Sequence, residues 1–300
     1  MADKSASGKS RPWSKHKLHS MYVAVAYEEV DPNKAERMKN CAEYLAFHRK
    51  EGGGLVLHDA RFCRVRLCPV CQWRRSLKTY AQMSQVLEVS HNEGYKHIML
   101  TLTMKNCKGS DLSASIDRLL LGFNRLSKYK AVKQAVKGWY RGCEVTHNIR
   151  SDTFHPHLHV ILAVNKSYFC GRTYISQKKW SELWQRALQV DYTPVVDVRK
   201  CYGGYKATAE ACKYTVKPED VLNFDDWDMT VETVRTLDSA LNNRRFIGLG
   251  GVLKEIHKKL QLDDIEDGDL LDIGTDTEEK TENFDEVIYY WNGYSRNYEK

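Results

Sequence analysis

Long apolar runs are missing from this chain. Nothing in it approaches the ~20 residues needed to cross a bilayer, so the sequence reads as a soluble protein with no membrane partner. Its opening, Met1 to Lys17, is rich in Lys, Arg and Ser and lacks the apolar centre of a secretory signal, which points to the cytoplasm. A disulfide framework is excluded next. Nine cysteines are an odd number, and a reducing cytosol does not sustain such bridges, so they read as free thiols or metal ligands. Internal repeats are absent as well. Three hundred residues, 42% hydrophobic and 28% charged, suffice for one large domain or two modest ones.

Charge is unevenly spread. Residues 263–300 hold 13 Asp/Glu against three Lys/Arg, leaving residues 1–262 with 43 basic against 26 acidic side chains, a net +17 within an overall +7. A body that basic suits a polyanion, and nucleic acid is the usual partner. Residues 1–20 read as a disordered basic arm, and residues 263–300 as an acidic tail, flexible until Phe284–Trp291.

The chemistry concentrates in His155-Pro156-His157-Leu158-His159-Val160-Ile161-Leu162. Three imidazoles at spacing two share one face of a β-strand, while the apolar residues tie that strand into a core. Neutral imidazole is a ligand for Mn²⁺ or Zn²⁺. Two histidines of one strand need a third ligand from a neighbour, and the preceding β-run, Gly142–Asn148, offers Glu144 with His147 behind it. A carboxylate with two imidazoles suits Mn²⁺ or Mg²⁺ bound with open positions, as a phosphodiester-polarising metal requires. Two other readings compete. One is a polar strand face with satisfied histidines. The other is the histidine triad of nucleotide hydrolases, read from His155 to Ile161 with the middle histidine as nucleophile, which leaves the cysteines and the basic body unexplained.

Punctuation along the chain predicts an α+β fold. Asp31-Pro32 opens a helix expected to run to about Arg49, with Cys41 inside it, ended by Gly52-Gly53-Gly54. A strand at Leu55–Ala60, a basic helix at about Gln72–Asn92, a strand at His97–Lys105 and a helix at Leu112–Tyr129 follow. Gly142–Asn148 and His157–Val164 form a hairpin, Ser176 caps a helix to about Leu188, and Pro194–Arg199 is β-rich. A helix at about Tyr205–Val216 is stopped by Pro218, and another spans Leu253–Leu260. On the Tyr205–Val216 pattern, Glu210, Tyr214 and Lys217 stand at i, i+4 and i+7, which places them on one helical face. Tyr214 could attack a polarised phosphate, Lys217 stabilise its charge and Glu210 activate water. Without chemistry, the same pattern is an amphipathic helix with surface ion pairs around a packed tyrosine.

Cys63-x4-Cys68-x2-Cys71 is a compact thiolate knuckle, and Cys41 is the expected fourth ligand of a structural Zn²⁺, with His48 and His58 as rivals. Arg74, Arg75 and Lys78 follow directly and, with Trp73, Tyr80, Arg64 and Arg66, could track phosphates and stack on bases, or form a solvated helix face. Cys107, Cys143, Cys170, Cys201 and Cys212 share no spacing and read as small core residues.

Three stretches in order, Ile98-Met99-Leu100-Thr101-Leu102-Thr103, His155-Pro156-His157-Leu158-His159, and Lys213-Tyr214 with Glu210 and Lys217, resemble the motifs of HUH-family rolling-circle replication initiators, nearest those of small Gram-positive plasmids. The resemblance extends to Asn40-Cys41, to Phe62–Pro69 with Cys71 and to Gly203-Gly204-Tyr205, covering roughly residues 40–260. It implies an HUH endonuclease fold: a central antiparallel five-stranded sheet with the histidine strand in the middle, flanking helices, and a zinc-binding N-terminal element. It also implies nicking at the double-strand origin, with Tyr214 as nucleophile, His157, His159 and Glu144 as metal ligands, and His155 as a further candidate. Glu210 stands where phage-type initiators carry a second tyrosine and would direct water at termination. Lys213 joins the DNA-contacting set, and a host helicase and DNA polymerase are the implied partners, with a homodimer left open. The expected segments are an arm (1–20), a zinc-binding and DNA-contacting element (21–94), a nicking core (95–220), a helical extension (221–262) and the acidic tail (263–300). Alternatives are a mobilisation relaxase or transposase of the same chemistry, or a zinc-dependent DNA-binding regulator that never cuts.

Overall fold

Strand pairing between residues far apart in the chain, more than local propensity, sets this architecture. The structure, a computed structural model, describes residues 10–49, 54–201, 205–212, 215–274 and 285–300. In chain order the elements are α1 (Trp13–Tyr27), α2 (Pro32–Lys39), β1 (Tyr44–Arg49), β2 (Leu55–Ala60), α3 (Pro69–Asn92), β3 (Lys96–Thr103), α4 (Gly109–Leu126), α5 (Lys130–Ala135), β4 (Val136–Asn148), β5 (Thr153–Val164), α6 (Gln177–Leu188), β6 (Val196–Lys200), α7 (Tyr205–Ala211), α8 (Trp227–Leu241), β7 (Ile247–Gly251), α9 (Val252–Lys259), β8 (Asp285–Asn292) and β9 (Asn297–Glu299). They fall into two compact units. The first comprises residues 1–81, 217–238 and 267–300, and the second residues 82–216 and 239–266. None of the described helices is long and apolar enough to cross a membrane.

The second unit is built on a five-stranded antiparallel sheet in the order β6-β3-β5-β4-β7, which puts the histidine strand β5 in the centre. Its buried run from Pro156 to Val164 explains that position, because only a central strand covered on both faces buries nearly every residue. One face carries Leu158, Val160 and Leu162 of β5 with Ile98, Leu100 and Leu102 of β3, all buried. Trp139 of β4 meets Phe123 of α4 edge-on at 4.9 Å. Ser176 caps α6 as its hydroxyl suggests, accepting the Lys179 amide at 3.2 Å. Strand β7, absent from the sequence reading, pairs Ile247–Gly251 with Gly138–Gly142 of β4. Its Gly-rich segment is there because a Cβ at Gly250 would stand 2.3 Å from the Trp139 ring.

The first unit holds a four-stranded antiparallel sheet, β2-β1-β8-β9, in which the C-terminal hairpin pairs with β1. That pairing corrects the helix expected from Asp31 to Arg49. Asp31 does cap α2, its carboxylate accepting the Lys34 amide, but the helix ends at Lys39 and Tyr44–Arg49 is a strand, stabilised by a partner 240 residues away. Cys41 therefore lies in the turn between them. The basic arm also departs from expectation, since Trp13–Tyr27 is helical with Trp13, Ser20, Val23, Ala24 and Tyr27 buried.

The acidic segment is likewise not a uniform flexible tail. Glu266 is buried and accepts the Phe246 and Ile247 amides at 3.1 and 3.2 Å, while Leu270 and Ile273 are buried in the first unit. Small apolar residues spaced between aspartates are enough to anchor it.

Candidate active site and metal centres

Glu144 lies directly opposite His157 across the β4–β5 pair, so both project from the same face as His159. Their ligand atoms converge. His159 Nε2 is 3.0 Å from Glu144 Oε2, His157 Nε2 is 3.4 Å from it, and the two Nε2 atoms are 3.2 Å apart. Ligands at ~2.1 Å from one cation and at right angles to each other stand about 3 Å apart, so this donor set fits a divalent metal. The His157 Nδ1–H donates to the His155 carbonyl at 3.2 Å, which leaves its Nε2 lone pair facing the cluster. All three side chains are buried. His155 does not join them. Its ring stacks on His157 at 5.2 Å between centroids, and burial, with His157 beside it, lowers its pKa. His147 faces the other side of β4, hydrogen-bonded to Asp152 at 3.0 Å and stacked on Phe154.

Helix α7 packs over the histidine face because β4 is glycine at the crossing. A Cβ on Gly142 would lie 2.7 Å from the Ala211 carbonyl, so only glycine lets the helix sit this close. The Tyr140 hydroxyl donates to that carbonyl at 3.2 Å, fixing the end of α7. Beyond it, the Val145 amide donates to the Thr215 carbonyl at 2.7 Å. Val145 follows Glu144 directly, so the chain on both sides of residues 213–214 is tied to β4 beside the cluster. Lys213 and Tyr214 themselves lie outside the described residues. Glu210 is on α7 and half-buried. The helix expected to reach Val216 ends at Ala211, and Lys217 is extended (φ −83, ψ 148) ahead of Pro218, in the first unit, so Glu210 and Lys217 do not stand on one helix. The proline disfavours the helical conformation in Lys217, the residue before it.

In the first unit the four cysteines meet as the knuckle spacing predicts. The Sγ atoms of Cys41 and Cys71 are 3.6 Å apart, those of Cys63 and Cys71 3.7 Å, and those of Cys68 and Cys41 3.7 Å. A tetrahedron of sulfurs at ~2.3 Å from zinc has edges of about 3.8 Å, so the four fit Zn²⁺ with no open position. Backbone amides of Cys63 and Arg64 donate to the Cys41 and Cys71 sulfurs, and Arg64 adopts φ +57 to do so. Cys68 and Cys71 also sit at the positive N-terminus of α3. Buried Lys17 donates to the carbonyls of Lys39 and Cys41 at 2.6 and 2.7 Å, placing its amine beside the cysteine cluster. His48 and His58 are not ligands here; they lie on β1 and β2, side by side.

The basic residues of α3 divide. Arg74 is fully buried, its guanidinium donating to the Leu270 and Leu271 carbonyls at 2.9 and 2.6 Å, and buried Lys78 donates to the Asp269 carbonyl at 2.6 Å. Both hold the acidic segment in place, and neither presents its charge to solvent as a phosphate contact would. Trp73 is core, packed between Trp13 and His16. Arg64 is exposed, donating to the Asp267 carbonyl, and Arg66 and Arg75 are half-buried.

This is an α+β protein with two buried donor sets that could each hold a metal ion, four cysteines in one unit and a His₂–carboxylate set on the central strands of the other. The chain is a member of the Rep_1 family of replication proteins, whose profile matches residues 54–299. It is 42% identical to "Protein rep" of Bacillus amyloliquefaciens over 99% of this chain and 96% of that one. It is also 38% identical to "Protein rep" of Streptococcus pneumoniae, over 99% and 94%, and 37% identical to that of Lactiplantibacillus plantarum, over 99% and 97%. No solved structure matches the chain.

Proposed function

We propose that this protein is a rolling-circle initiator of the HUH type, which nicks one strand at a plasmid's double-strand origin and becomes linked to the 5′ end through Tyr214. The observation that carries this reading is the convergence of Glu144, His157 and His159 beside backbone leading into and out of residues 213–214. A Mn²⁺ or Mg²⁺ ion held by these three residues would neutralise charge on the scissile phosphate. The Tyr214 phenol oxygen attacks phosphorus. As the new P–O bond forms, the bond to the 3′ oxygen breaks; the phenol proton leaves to solvent and the departing oxygen takes one up, giving the 3′-OH that primes synthesis. Glu210 removes a proton from the water that later attacks the phosphotyrosine, and the tyrosine leaves with a proton restored.

The roles of Lys217 in stabilising charge and of Lys213 in contacting DNA rest on the family resemblance alone. Zn²⁺ in the four-cysteine cluster is structural, and Arg64, Arg66 and Arg75 are the knuckle residues assigned to phosphates. Origin DNA in the cytoplasm is the partner, with a host helicase and polymerase taking over the primed strand.

Wild type, Tyr214→Phe and Glu210→Ala, each incubated with Mn²⁺ and a labelled single strand carrying the origin, test this on denaturing gels. A protein-linked band that Tyr214→Phe abolishes and Glu210→Ala preserves or enriches is expected. DNA bound by wild type with no covalent band would favour the non-cutting regulator instead.

A further inference from the structure

His48 and His58, set aside by the cysteine cluster, meet a third residue from the far end of the chain. His48 lies on β1 directly opposite Glu286 of β8, so the two share a face of the four-stranded sheet. His58 reaches that face through an irregularity. Ala46 pairs with Asp59 but Phe47 pairs with Leu57, which makes His58 an extra residue on β2. In unbroken register His58 would oppose Phe47 and point to the buried side; the bulge turns it to the side of His48. The two imidazoles lie nearly parallel, 14° apart with centroids at 3.7 Å, and His58 Nε2 is 2.9 Å from Glu286 Oε1. One ligand atom from each of the three residues lies within 4.8 Å of the others.

We propose that His48, His58 and Glu286 form a further divalent-cation site, of the Zn²⁺ class, which clips β8 onto β1 and β2. Two imidazoles and one carboxylate, with no phosphate oxygens to complete the shell, suit a borderline cation such as Zn²⁺. The site differs from the cysteine cluster in being part-exposed, with the Glu286 side chain half accessible, and in leaving positions for water. Its cation is therefore the more exchangeable of the two. Joining residues 48 and 58 to residue 286 closes a very long loop, so occupancy stabilises the C-terminal hairpin against detachment.

Full-length protein in a Glu144→Gln/His157→Gln background, which removes the catalytic cluster from the count, is titrated with Zn²⁺ against a chromophoric chelator and its bound zinc measured. One equivalent beyond that of the cysteine cluster is expected. His58→Gln should lose that equivalent, and Glu286→Gln, an isosteric change at an exposed position, should weaken it at least tenfold. The Zn²⁺-dependent rise in melting temperature should shrink in both variants. Equal zinc content and equal affinity in all three proteins would overturn the proposal and leave the trio as a stacked imidazole pair closed by a hydrogen bond.

Discussion

The two units each gather a cluster of metal-ligating side chains, and they do so by opposite means. In the first unit four sulfurs come from a turn, a loop and the start of α3, segments whose mutual position no sheet or helix dictates. In the second unit a carboxylate and two imidazoles come from adjacent central strands, where register alone sets their separation. A closed tetrahedron of soft ligands has no position for substrate and serves to organise loops. An open triad on a rigid sheet is organised before any metal arrives and has positions to spare for a phosphate. Metal held by the cysteines would thus be part of the fold, and metal held by the triad part of the proposed chemistry.

Breaking the first cluster should have the largest effect. Cys68→Ser leaves three thiolates for a metal whose binding free energy is folding free energy, of order 10 kcal/mol in small zinc domains. We expect loss of the bound zinc and a melting temperature lower by well over 10 °C, read by metal analysis and calorimetry; unchanged melting would reduce the cysteines to buried thiols. His157→Gln or Glu144→Gln should do the reverse. Nicking should fall by about 10²–10³ or more, as when a charge-stabilising group is lost, while the melting temperature moves little. Should both properties fall together, the triad would be a structural centre like the first, and the contrast between the units would disappear.

A smaller change probes what lies above the triad. Gly142→Ala forces a methyl against the Ala211 carbonyl, an overpacking worth about 1–3 kcal/mol. Because the strain falls on α7 and the residues after it, nicking should drop more than stability does. Metal affinity of the triad, measured by titration, should stay near wild type. A loss of affinity as large as the loss of nicking would mean that the strand, and not α7, had moved.

The same contrast explains what could be read from sequence. Spacing two in His155–His159 and an apolar run around it are local signals, and they sufficed for the central strand, its face and its carboxylate partner in the hairpin. The cysteine knuckle was legible for a similar reason, with three of its four ligands within nine residues. Non-local decisions were not legible. Tyr44–Arg49 continues a helical pattern and becomes a strand only because β8 pairs with it. The Glu210–Lys217 pattern looks helical throughout, yet α7 stops at Ala211. Arg74 and Lys78 read as phosphate contacts because nothing nearby announces that residues 269–271 will cover them.

The smallest effect concerns acid. Each unit holds one histidine whose pKa is lowered to about 4, buried His16 in the first and half-buried His97 in the second, chiefly by loss of hydration. His97 accepts or donates a hydrogen bond with the Ser90 hydroxyl at 3.0 Å and is disfavoured as a cation by His91 and Lys96 as well. Between pH 6.5 and about 4 the unfolded chain binds a proton at this site that the folded chain does not. Stability is therefore full above pH 6.5 and is lost as pH falls through that window. For the half-buried His97 ring the loss is on the order of 2 kcal/mol once solvent screening is allowed for. His97→Gln keeps a partner for Ser90 but cannot take up the proton, so the urea midpoint should fall less steeply between pH 7 and 4.5 than in wild type. The steepness that remains belongs to His16, to His19, His155 and His257, whose pKa values burial also lowers, and to the carboxylates. If His97→Gln left the slope untouched, the acid sensitivity would lie with those other groups, and the Ser90–His97 contact would not be a point at which acid loosens the second unit.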